Sequence, residues 1–245
     1  MELKVLGSNS LGNCYVLQAG EEALIIEAGC KLAEVKKALR WQISKVRGAI
    51  VSHSHNDHAA YVKDFIAAGI RVLAHRSVFA AHGIEGRSFT REIEPMHGYA
   101  VGGFKVYAFP VMHDVPCLGY IIEHADMGRM LFVTDTMMLE YTFPKMNHIL
   151  LEANYADDIL DRRIEEGLVT AAMRPRLLAS HMELETTKGI LKANDLSECN
   201  DVVLIHLSDG NSDEARFVRE CSEVAGVPVY AANAGMTLDL SKNPY

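Results

Sequence analysis

The chain reads as a mixed α and β domain, with two sheets sandwiched between helices. Three observations predict this. Strand-like apolar runs crowd the first two thirds of the 245 residues, helical patterns fall in both halves, and four apolar runs end on a histidine or an aspartate. No repeat, low-complexity segment or linker interrupts the sequence, so residues 1–245 read as one domain able to bury a sizeable core.

From the N-terminus, strands are expected over residues 3–6, 14–17 and 23–27, separated by the turn-forming segments GSNSLGN and AGEE. A helix over about 32–40 and a strand over about 46–51 follow. AAYVKDFIAAG has helical spacing and stops at a glycine. RVLAH is a short strand, and FKVYAFPV, LGYIIEH, RMLFVTD and HILLEA read as further strands. The last third is mostly helical, over about 161–173 and 186–193. The buried strand DVVLIHLS, the helix SDEARFVRECSEVAG and a final strand near Val229 complete it.

Apolar residues make up 49% and charged residues 23%, an ordinary soluble composition. No apolar run reaches the roughly 18 residues of a membrane span, and MELKVLGSNS lacks the regions of a signal peptide. A cytoplasmic location without a membrane partner is therefore expected. The five cysteines (Cys14, Cys30, Cys117, Cys199, Cys221) are odd in number and widely spaced. That argues for small buried side chains rather than disulfides or a cysteine zinc knot. A net charge of −8 counts against a broad basic surface gripping nucleic acid non-specifically. It leaves room for an anionic substrate drawn to a local cationic centre, such as two divalent metals would supply.

The densest signal is VSHSHNDHAAYV at 51–62. Its H-x-H-x-D-H pattern is expected by chance in such a chain with a probability on the order of 10⁻³. In extended chain His53 and His55, two apart, project to one side. Asp57 and His58 fall where the strand turns into a helix and point differently, which suits a second metal. GAIVSHSH, YAFPVMH, MLFVTD and VVLIH each close an apolar run, ending in His53 and His55, His113, Asp135 and His206. Ligand sites in layered α/β folds gather at strand ends. Read singly, His113 and His206 are ligands or ordinary strand-end and core histidines, and Asp135 is a ligand or a turn cap. Together with the first cluster they complete two metal shells. Imidazoles and carboxylates match Zn²⁺ best, with Mn²⁺ or Fe as substitutes.

The ordered series HSHNDH at 53–58, His113, VTDT at 133–136 and IHLS at 205–208 resembles the metallo-β-lactamase superfamily, over most of the chain. The resemblance implies the αββα four-layer sandwich of α/β class. It implies His53, His55 and His113 on one metal, Asp57, His58 and His206 on the other, and Asp135 bridging them. Within the superfamily, GSNSLGNCYVL, LLEANYADDIL and ASHMELETTKGIL are similar to the YycJ/WalJ-like proteins, implicated as DNA exonucleases and related to tRNase Z-type phosphodiesterases. That likeness implies His181 as proton donor in phosphodiester cleavage, against a simpler role capping the following helix. Glu27 stands where the family has an aspartate, as a carboxylate beside the ligands. Leu11 is an addition to the serine-rich loop, in which Ser8 and Ser10 would bind phosphate. Asp135 occupies the place of the cysteine ligand of dinuclear β-lactamases, and no large inserted RNA-binding domain fits the length.

Two metals about 3.5–4 Å apart lower the pKa of a shared water, and Asp57 and Asp135 would handle its proton and orientation. Glu152 is either a partner to a ligand imidazole or a surface carboxylate. Asn154 and Tyr155 are candidates to line the pocket. Arg174 and Arg176 either meet a substrate phosphate or form a solvated helix end, and Trp41 is expected to pack. The expected function is a dinuclear phosphodiesterase or exonuclease acting on nucleic acid. The alternative is a hydrolase of a small phosphodiester, lactone or thioester, because fold does not fix substrate.

Overall fold

The computed structural model describes residues 1–242 and shows the αββα sandwich. One seven-stranded sheet contains β1 (Glu2–Asn9), β2 (Gly12–Ala19), β3 (Glu22–Ile26), β4 (Val46–Val51), β5 (Val72–Ala74) and β6 (Thr90–Glu92). The other contains β7 (His97–Val101), β8 (Phe104–Val111), β9 (Cys117–His124), β10 (Gly128–Val133), β11 (His148–Glu152), β12 (Asp201–Ile205) and β13 (Val229–Ala231). The last strand, β14 (Thr237–Asp239), returns to the first sheet beside β1. Each sheet begins as an antiparallel meander and continues as parallel strands, from β3 to β6 and from β10 to β13.

Side-chain alternation builds the layers. Leu24 and Ile26 of β3 face the inter-sheet core with Tyr15, Tyr120, Phe132 and Leu150. Ile25 between them faces outward, onto Val35 of α1 (Leu32–Ala38), Phe65 of α3 (Val62–Ala67) and Phe79 of α4 (Arg76–Ala81). On the far side Leu131, Leu151 and Leu204 meet Leu184 and Leu191 of α7 (Leu184–Ala193) and Phe217 of α8 (Glu214–Ala225). Strands β11 and β12 are buried at every position, as expected of parallel strands covered on both faces.

Four local differences from the sequence expectation have physical causes. The helix expected over 59–69 is two, α2 (Asn56–Ala59) and α3, because the Tyr61 N–H donates to Ala28 O. The helix expected over 161–173 lies earlier, as α5 (Asp157–Glu165). Gly167 stops it at φ 71°, its N–H bonding Ile164 O. A separate helix, α6 (Arg174–Ser180), follows with a proline in its first turn. Trp41 is 69% exposed rather than packed, since Arg40 and Trp41 both take positive φ at the end of α1. The five cysteines are free, and four are buried. Among the described residues, no helix is long and apolar enough to cross a membrane.

The backbone at Gly29 fixes the histidine motif against β2. Its N–H donates to Asn13 O, and a Cβ there would lie 1.7 Å from the carbonyl oxygen of Asp57. Gly29→Ala is expected to destabilise the fold by about 1–3 kcal/mol through overpacking and to weaken metal retention. Gly189→Ala, in open space on α7, should stabilise by about 1 kcal/mol. Thermal unfolding of both variants checks this; equal melting temperatures would contradict it.

Candidate metal centre

Both sheets deliver polar strand ends to one edge of the sandwich. Tyr120 of β9 donates to Val51 O at 2.7 Å, and the His206 N–H after β12 donates to Ser8 Oγ of β1 at 2.9 Å. These two bonds tie the sheets together beside the site.

Three histidines form the first group. Nitrogens of His53, His55 and His113 lie within 4.8 Å of one another. The carbonyl oxygen of Ser180, 3.1 Å from His113 Nδ1, fixes the tautomer that leaves Nε2 an acceptor. That Nε2 lies 3.3 Å from His55 Nδ1. His53 Nδ1 pairs with Ser52 Oγ at 2.9 Å, while its Nε2 is buried without a hydrogen-bond partner among the described residues.

Asp57, His58, Asp135 and His206 form the second group. His58 Nε2 is 3.2 Å from Asp57 Oδ2 and 3.1 Å from Asp135 Oδ2, and His206 Nε2 is 3.2 Å from Asp57 Oδ2. Unit charges ~4 Å apart repel by about 4 kcal/mol at an effective dielectric of ~20, so such convergence calls for protons or a cation. Behind this group, Glu27 Oε2 stands 3.5 Å from His58 Nδ1 and the same carboxylate accepts from Ser52 N.

Glu152 joins a third group with Asp135, His181 and His206. It is fully buried at the end of β11. Its Oε1 lies 2.8 Å from His181 Nδ1 and 3.2 Å from His206 Nδ1, and Oε2 accepts from Thr136 N and Met182 N. One carboxylate therefore orients two imidazoles, each with its Nε2 left for the site. Glu183, not His181, caps α7.

Several other predicted residues also meet here. Ser10, Asn154, Arg176, His181 and His206 line one cavity of about 270 Å³. Ser10, Arg176 and His181 also border a central cavity of about 180 Å³ with Asp57, His113 and Asp135. Arg176 has no ion-pair partner among the described residues, whereas Arg174 is held by Asp157 and Asp161. Ser8 is buried, its hydroxyl engaged with Tyr15 at 2.8 Å and with the His206 amide, and it borders a neighbouring cavity of about 270 Å³ rather than the one lined by Ser10. The Asn154 amide is partly committed too, donating to His206 O at 2.8 Å.

The sequence reading missed two residues. The buried Asn13 amide lies 3.0 Å from His58 Nε2 and 3.4 Å from Asp57 Oδ2. Asp114 Oδ1 is 3.1 Å from His113 Nε2 and 3.3 Å from His55 Nε2. Adjacency to His113 was the only signal for Asp114, and a place in the opening loop the only one for Asn13.

The donor set fits two divalent cations. Among the described residues His53 Nε2 and His58 Nδ1 are buried without a hydrogen-bond partner, and carboxylates crowd the imidazoles, so divalent cations would offset the buried negative charge. Glu27, Asp135 and His206, each just past a strand end, take φ of 67°, 52° and 56°. Non-glycine residues avoid that region, and such strain concentrates where a site demands it.

Burial keeps His53 and His113 below the ordinary imidazole pKa, ready to coordinate without losing a proton. In the second group burial is outweighed. Asp135 and Glu27 raise His58, and Asp135, Asp57 and Glu152 push His206 up to about 10. Burial likewise opposes the charging of Asp57 and Asp135, but His206 and His58 hold both carboxyls well below their usual range. Glu152 raises His181 against its own desolvation.

Comparison with known proteins agrees with this fold. A family model of the metallo-β-lactamase superfamily matches residues 8–140, and the chain belongs to that superfamily, with its hydrolase fold. No curated protein matches the sequence. The structure is similar to the metallo-β-lactamase fold protein YhfI from Bacillus subtilis, at 17% identity and TM-score 0.71 over 97% of this chain and 99% of that one. It is similar to the short form of human tRNase Z, at 13% identity and TM-score 0.64 over 98% and 99% of the two chains. A diphosphatase of the PhnP family aligns at 15% identity and TM-score 0.62, over 97% of each chain. At such identities the likeness is one of fold.

These shifts set the pH behaviour of metal-stripped protein. His206, with a folded pKa of about 10 against an unfolded one near 6.5, contributes stability that is complete below pH ~6.5 and is lost as pH rises through 10. The lowered Asp57 and Asp135 contribute above pH ~4 and lose their effect in acid. The melting temperature of stripped protein should fall by about 5–10 °C between pH 7 and 10, and Zn²⁺ or Mn²⁺ should remove most of that slope. A flat profile without metal would contradict the assignment.

Proposed function

We propose that the protein is a dinuclear metal-dependent phosphodiesterase acting on nucleic acid, an exonuclease of the YycJ/WalJ-like kind. The observation that carries this reading is His181. Glu152 fixes its Nδ1, no protein atom among the described residues hydrogen-bonds its Nε2, and Arg176, which has no ion-pair partner among those residues, lines the same cavity.

His53, His55 and His113 would hold one ion and Asp57, His58 and His206 the other, with Asp135 between them. When bound, the two cations, Zn²⁺ or in its place Mn²⁺ or Fe, supply a water of lowered pKa and neutralise charge growing on the phosphate oxygens. Asp57 accepts the proton of the attacking water. Arg176 and Ser10 hold the phosphate in line, and Asn154 keeps His206 in place beneath it. His181 then donates from Nε2 to the departing oxygen, while Glu152 stabilises the imidazolium that precedes transfer. The −8 charge and the 180 Å³ central cavity favour a second reading, a small phosphodiester as substrate.

End-labelled DNA, bis-p-nitrophenyl phosphate, a lactone and nitrocefin, offered to Zn²⁺- or Mn²⁺-treated protein, separate these readings. Shortening of DNA from one end that disappears in Asp135→Ala is the expected result. Turnover of the lactone or the small ester with DNA left intact would overturn the nucleic-acid reading. His181→Ala should slow DNA cleavage by about 10²–10⁴-fold. It should spare most of the activity on the p-nitrophenyl ester, whose leaving group needs no proton. Equal losses on both substrates would refute the donor role.

A further inference from the structure

Helix α6 divides the mouth of the centre into two unlike lobes. On one side Arg176 and Leu177 border the 270 Å³ cavity with Ser10, Asn154 and Ser208. On the other, Ala179 borders an open hollow of about 490 Å³ walled by Met112, Val115, Pro116 and Met137. His113 and Asp114 line that hollow and the central cavity alike, so it opens onto the reacting centre.

The lobes differ in charge: both carry exposed methionine, Met173 at 53% in the first, but among the described residues only the first carries a cation and only the second Asp114. Arg176 is exposed and unpaired among the described residues, a cation free to meet a phosphate. In the second lobe Met112 and Met137 are 43% and 38% exposed, large apolar side chains left in water beside a polar site. Methionine sulfur packs favourably against aromatic rings. The only charged side chain lining that hollow among the described residues, apart from the histidine, is Asp114, which repels a phosphate chain.

We infer that the substrate binds in one orientation, its phosphate-bearing chain leaving past Arg176 and one unpaired aromatic end group, the terminal nucleobase, resting on Met112 and Met137. This rests on the phosphodiesterase reading and sharpens it. A chain that cannot continue charged past Asp114 is trimmed from an end, and a duplex has to fray before its last base reaches the methionines.

Single-stranded oligonucleotides ending in a normal or an abasic residue, together with circular single-stranded DNA, test this. Wild-type protein should trim the normal end about tenfold faster than the abasic one and leave the circle uncut. In Met112→Ser/Met137→Ser, substitutions of exposed side chains, that ratio should fall towards one. Arg176→Gln should keep the ratio while raising about tenfold the concentration of inorganic phosphate needed to inhibit. Metal content measured in parallel reports whether the centre is intact in each variant. A wild-type ratio near one, a ratio untouched in the methionine variant, or cutting of the circle overturns the inference while the phosphodiesterase reading stands. No cleavage of any strand overturns that reading itself.

Discussion

Everything in this structure is arranged around carboxylates and imidazoles that share a buried volume. Glu27, Asp135 and Glu152 are almost completely buried, and Asp57 shares a nitrogen of His58 with Asp135 at hydrogen-bonding distance. Buried anions that close are unfavourable unless positive charge joins them. Protonated histidines can supply it in part, as the raised His58 and His206 show. Divalent ions would supply it more fully and would also use the three-histidine group, in which burial holds His53 and His113 below the ordinary imidazole range.

The sandwich explains how one chain tolerates this. Parallel strands of both sheets end at the same edge, where apolar layers on each side hold the backbone rigid. The residues just past those ends adopt left-handed backbone, turning their side chains inward at a conformational cost that the packed strands offset. Outer contacts then fix each ring: Ser52 for His53, Ser180 for His113, and Glu152 for His181 and His206. Fixed tautomers aim the remaining nitrogens without reorganisation when an ion or substrate arrives.

Much of this was visible in the amino-acid order. Long apolar runs bounded by turn residues placed β4 and β8 to the residue and β10–β12 to within about three, and ligand-type side chains at their ends announced a shared site. The three-residue strands β5, β6, β13 and β14 carry too few positions for a periodic signal, and only two of them were expected. Helix α6 escaped notice because Pro175 reads as a breaker until a helix is known to start there. Contacts made across the fold were equally hidden. Nothing local marks Asn13 as a neighbour of His58, or separates Ser8, which holds His206, from Ser10, which faces the cavity. Glu152 was ambiguous for the same reason, since its partners lie 29 and 54 residues away.

The most direct test of the account is the metal stoichiometry of chelator-treated protein titrated with Zn²⁺ or Mn²⁺, read by calorimetry and by elemental analysis after dialysis. Two sites should fill, about two equivalents per chain, with proton release accompanying the ion held by His58 and His206. His53→Ala and His58→Ala should each remove about one equivalent. Binding of less than one equivalent to the unaltered chain would contradict the central claim.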